Sequence, residues 1–130
     1  MDGIIETKKP YVIWEVGGKE LKLKLSTSGI IELEGKLGAN LLDVVMRTEE
    51  GRVPPLKVML MITHQALQSY EHGYKEKDVI NLYEQYLQDG GSQMKFLTDV
   101  FLPIYQVSGF FSKAQAEKMG ENLLEASEQA

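Results

Sequence analysis

The sequence predicts a mainly helical α+β domain, with an N-terminal β-hairpin packed on about five helices and a loose C-terminal tail. Three observations carry that expectation. Residues 11–25 alternate in polarity around Gly17-Gly18, the pattern of two strands joined by a two-residue turn with positive φ. After Ser26, Thr27 and Ser28, any of which can cap a helix, the apolar spacing changes from two to three and four. No repeat and no Gly-, Ser- or Pro-rich linker divides the 130 residues, so a single core is expected. We expect a flexible segment over 1–10, one domain over 11–111, and a marginal helix or disordered tail over 112–130.

Pairing Val16 with Lys19 across the turn puts Val12, Trp14, Val16, Leu21 and Leu23 on one face. Glu15, Glu20, Lys22 and Lys24 take the wet face, where Tyr11 and Ile13 are apolar exceptions. Ile30, Leu33 and Leu37 form the first helical stripe, ended by Gly38, and Leu41, Leu42 and Val45 give a further short helix. Pro55 suits the first position of the next helix, whose stripe is Leu56, Met59, Leu60, Thr63, Leu67 and Tyr70, with Gly73 as its stop. Val58, Met61 and Ile62 widen the stripe almost all round, so this helix is central or touches another subunit. Val79, Leu82, Tyr83, Tyr86 and Leu87 mark the most amphipathic helix, ended by Gly90-Gly91. Ser92 can cap a last helix carrying Met94, Leu97, Phe101 and Ile104, and Pro103 predicts a kink or break near Leu102. Within 112–130 only Met119, Leu123 and Leu124 are available for burial.

The net charge of −5, with 14 basic residues scattered along the chain, argues against nucleic acid as a partner. No stretch approaches the ~20 apolar residues of a membrane span, and residues 1–10 lack a signal peptide's apolar core. The absence of cysteine fits a reducing compartment, with cytoplasm as the expected location. His64 and His72 stand eight apart, too far on one helix to share a metal, and we read both as structural or solvent-facing. Glu32 with Glu34, and Glu49 with Glu50, fall on different helix faces or in a loop and suit solvated surface. Neither a catalytic signature nor a phosphate loop is present. The expectation is a non-catalytic protein without metal or cofactor.

Several stretches taken together resemble the tail assembly chaperones of long-tailed phages and prophages of Gram-positive bacteria. They are Leu23-Lys24-Leu25-Ser26-Thr27, Leu33-Glu34-Gly35-Lys36-Leu37-Gly38-Ala39-Asn40-Leu41-Leu42, and Pro55-Leu56-Lys57-Val58-Met59-Leu60. Gln88-Asp89-Gly90-Gly91-Ser92 and Val107-Ser108-Gly109-Phe110-Phe111 complete the set, which spans roughly residues 11–111. Each piece also has a structural explanation as a cap, a helix stop or core. The resemblance implies a protein of the host cytoplasm that binds the tape-measure protein during tail morphogenesis and is absent from the mature virion. It further implies self-association into a ring or spiral, the tail tube protein as a further candidate partner, and a longer frameshifted form beside this shorter one. The alternatives are a permanent virion component, such as a connector or tail protein, and an enzyme acting on a small molecule.

Candidate partner-binding residues are Phe110, Phe111, Tyr11, Ile13, Met59 and Met61. Met46, Met59, Met61, Met94 and Met119 suit an adaptable surface, although methionine in a helix stripe equally fills a core. Neighbouring aromatics on a regular helix diverge by roughly 100°, which would leave Phe110 or Phe111 partly exposed. A bend at Gly109 would instead let both rings cap the core.

Overall fold

The alternation around Gly17-Gly18 forms a hairpin of β1 (Val12–Val16) and β2 (Lys19–Leu23), antiparallel, with Val16 opposite Lys19 and Val12 opposite Leu23. Both turn glycines have positive φ, 59° and 78°, the backbone a two-residue turn of this hand requires. The structure, a computed structural model, describes residues 10–112 and, beyond them, Ala114, Gln115, Lys118 and Glu121. Residues 1–9, Met119, Leu123 and Leu124, on which part of the terminal expectations fell, lie outside the described residues. Ser112 and Gln115 exchange backbone-to-side-chain hydrogen bonds at 2.9 and 3.3 Å, a reciprocal helix cap.

The hairpin is followed by α1 (Thr27–Leu37), α2 (Leu41–Met46), α3 (Leu56–Leu67), α4 (Glu76–Gln88), α5 (Gln93–Phe96) and α6 (Leu102–Val107). A 3₁₀ turn, Arg47–Glu50, extends α2, and a π-helical turn, Leu97–Phe101, joins α5 to α6 without a gap. Caps fix the boundaries. Ser26 accepts from Gly29 N–H at 3.0 Å to start α1, and Asn40 accepts from Leu42 and Asp43 N–H to start α2. Pro55 stands one residue before the first helical position of α3, and α3 stops at Leu67 rather than at Gly73. Pro103 does not break the last helix. The widened turn before it absorbs the missing N–H and the clash of the proline ring with the preceding turn.

The dry face of the hairpin, with Trp14, Leu21 and Leu23 all buried, packs on a core from every helix. Trp14 meets Phe96 and Tyr86 at ring distances of 5.4 and 6.0 Å, and Tyr83 packs on Phe96 at 5.3 Å. The buried indole N–H has no hydrogen-bond acceptor among the described residues. Its ring contacts are edge-on, at 65° and 69°, a geometry suited to N–H···π contact.

Three helix ends tie to the hairpin backbone. Ala66 of α3 accepts from Lys24 N–H at 3.1 Å, Asp89 after α4 accepts from Gly17 N–H at 2.9 Å, and Ser108 after α6 accepts from Leu25 N–H at 2.9 Å. Gly91 marks the tightest packing: a Cβ there would collide with the Tyr86 ring, which is itself held by Trp14 and Phe96. Gly91→Ala is expected to cost about 1–3 kcal/mol, the usual range for overpacking, read as a lower midpoint in urea. An unchanged midpoint would show that the Tyr86 ring is free to move.

Candidate functional site

The widened stripe of α3 resolves into two sides. Met59, Ile62, Thr63, Ala66 and Leu67 are buried, and the Thr63 hydroxyl donates back to the Met59 carbonyl at 2.8 Å, so its polarity is met within the helix. Two neighbouring rows at i, i+4 spacing, Leu56 with Leu60 and Lys57 with Met61, instead border a groove against Glu76 and Ile80 of α4. The groove encloses about 440 Å³. Leu56, Leu60, Met61 and Ile80 give it apolar walls, while Lys57 and Glu76 are exposed. Ile80 is 55% exposed, unusual for isoleucine on an otherwise polar helix face. Further exposed apolar side chains, Ile31 on α1 with Leu42 and Met46 on α2, lie on other helices.

The expected site residues do not form one surface. Met59 is fully buried and is corrected to a core residue, because its place on α3 faces inward. Met61 borders the groove. Tyr11 packs edge-on against Tyr70 at 5.3 Å, and the Lys22 ammonium lies 5.0 Å from its ring, so the chain itself covers much of it. Ile13 is half-buried beside a different cavity, along β1.

Phe110 and Phe111 both pack on Tyr105, at ring distances of 4.7 and 6.2 Å, and both are half-buried. The bend at Gly109, with φ 91°, allows this. Gly109 N–H bonds the Gln106 carbonyl and Phe110 N–H the Tyr105 carbonyl, the Schellman pattern in which the residue after the glycine meets the side chain five positions back. The Tyr105 hydroxyl donates to the Leu41 carbonyl at 2.9 Å, and the Leu41 N–H donates to Glu34 at 3.0 Å. Burial pushes the Tyr105 phenol up, and the Glu34 carboxylate adds to the shift.

His64 donates from Nε2 to the Tyr74 carbonyl at 2.8 Å and holds the loop before α4. His72 is exposed. Among the described residues, no group of three or more His, Asp or Glu side chains is placed to hold a metal ion, and no helix is long and apolar enough to cross a membrane.

Sequence reasoning missed Ile80, whose signal is an isoleucine one step off the stripe of α4. It also missed the Tyr105 platform, signalled by tyrosine four residues before the glycine.

Fold and surface together define a mainly helical α+β domain that carries an open apolar groove. Over residues 7–129 the chain matches a family of unknown function (DUF6096), and it belongs to that family. No curated protein and no solved structure gives a significant match.

Replacing Phe110 and Phe111 together by serine is expected to cost about 3–5 kcal/mol of stability, roughly half the value for two fully buried rings. Chemical denaturation checks this. A change within about 0.5 kcal/mol would show that the rings add nothing to the core.

Proposed function

We propose that this chain is a non-catalytic tail assembly chaperone of a long-tailed phage or prophage, and that it binds the tape-measure protein in the host cytoplasm. The tail tube protein is a second partner in this reading, and the finished virion lacks the chain. The stretches that resemble that family motivate the proposal, and the α3–α4 groove is the observation that supports it best. A tape-measure protein is a long helix whose apolar face stays uncovered until the tube surrounds it. A groove walled by Leu56, Leu60, Met61 and Ile80 suits the apolar side chains of such a helix. Repeated weak sites along one helix then add through avidity.

Self-association belongs to the same proposal. Ile31, Leu42 and Met46 are exposed on α1 and α2, and none of them walls the groove. Two different apolar surfaces on one chain permit the head-to-tail contact that a ring or spiral requires.

Co-expression with the tape-measure protein of the same phage or prophage tests the reading. A soluble complex is expected, and Ile80→Glu is expected to weaken it at least tenfold, about 1.4 kcal/mol or more. The midpoint of thermal unfolding stays near that of the parent, since Ile80 is mostly exposed. Complex formation undiminished by Ile80→Glu would remove the groove from the reading. Abundant copies of the chain in purified mature particles would replace the chaperone with a permanent virion component.

A further inference from the structure

We propose that the outer edge of β1 is a docking site for an extended, basic segment of a partner protein, which adds to the hairpin as a third strand. This inference is independent of the tape-measure reading and concerns a different surface.

A cavity of about 430 Å³ is lined by six consecutive residues, 13–18, facing Asp89, Gly90, Gly91, Lys95 and Asp99. Successive side chains of a strand point to opposite faces, so a strand lines a cavity with consecutive residues only along its edge. In a hairpin with a two-residue loop, the flanking pair Val16 and Lys19 exchanges both ladder bonds. The alternation then turns the N–H and C=O groups of Ile13 and Glu15 away from β2.

The same parity turns Gly17 outward at the turn end of the β1 edge, and Glu20, Lys22 and Lys24 outward on the β2 side; the N–H groups of Gly17, Lys22 and Lys24 have acceptors. These are Asp89 at 2.9 Å, Glu71 at 3.2 Å and the Ala66 carbonyl at 3.1 Å. The chain's own residues thus take the outward N–H groups of Lys22 and Lys24 on the β2 side. On β1 the outward groups of Ile13 and Glu15 bond to no described residue, and unpaired edge groups of this kind template strand addition.

Charge selects the occupant. Glu15, Asp89 and Asp99 line the cavity against a single ammonium, Lys95, and hydrogen bonds from Gly17 and then Gln85 hold Asp89 below the usual carboxylate range. A strand bearing lysine or arginine is favoured there, and an acidic one is repelled. Gly90 and Gly91 add no side chain of their own to the cavity lining, while Ile13 offers an apolar cross-strand contact.

The test uses the full chain and two capped peptides, one alternating valine with lysine and one alternating valine with glutamate. In NMR titrations the lysine peptide is expected to slow exchange of the Ile13 and Glu15 amides and to bind at least tenfold more tightly than the glutamate peptide. Glu15→Pro removes an outward N–H without touching a ladder bond and is expected to abolish that binding. Equal binding of the two peptides, or undiminished binding by Glu15→Pro, overturns the proposal. So do Ile13 and Glu15 amides already protected in the free chain, which would place its own residues or a second copy on the edge. Should Glu15→Pro fail to fold, amide exchange in the parent decides.

Discussion

The contact of the Trp14 indole with the rings of Phe96 and Tyr86 joins the N-terminal hairpin to helices far along the chain, and the rest of the structure depends on it. A two-stranded hairpin is marginal alone in water and needs a surface to pack on. Loss of a buried tryptophan side chain typically costs about 3–5 kcal/mol, against a total stability of about 5–15 kcal/mol for a domain of this kind. The ring also fixes its surroundings. Tyr86 is held in place by Trp14, Gly91 is required because Tyr86 is held, and the glycine pair then lines part of the cavity along β1.

A second constraint acts through the helix C-termini. At α4, Gly90 N–H bonds Leu87 and Gly91 N–H bonds Tyr86; at the end of α6, Gly109 N–H bonds Gln106 and Phe110 N–H bonds Tyr105. The two ends share one hydrogen-bond pattern with a tyrosine at the same position. They differ in the residue after the first glycine. At α6 a phenylalanine packs on the tyrosine, whereas at α4 the tyrosine is turned over the second glycine and toward Trp14. One motif therefore yields a closed aromatic stack in one place and an open cavity in the other. Hydrogen bonds from the hairpin backbone to Ala66, Asp89 and Ser108 bind the ends of α3, α4 and α6 to the sheet.

Much of this was legible because it rests on local patterns. The hairpin register comes from alternation around Gly17-Gly18, and the caps at Ser26 and Asn40 come from residue type and position. Long-range choices were less legible. Periodicity placed Met59 and Met61 on one broad stripe, but only the packing of α4 against α3 decides that one is core and the other borders a groove. Pro103 signalled a disturbed helix, and whether the chain kinks or widens into a π turn depends on the burial of Leu97, Phe101 and Leu102 on either side. The Tyr11 pairing with Tyr70 and Lys22 joins residues distant in sequence, and no short-range pattern announces it.

If Trp14 locks hairpin and helices into one cooperative unit, its fluorescence and the helical circular-dichroism signal must report the same event. Trp14 is the only tryptophan in the chain, so the emission is unambiguous. Blue-shifted emission is expected in the native protein, with a urea transition that coincides with the loss of far-ultraviolet helical signal. Emission at the wavelength of exposed indole, or a fluorescence transition completed while the helical signal persists, would contradict the lock.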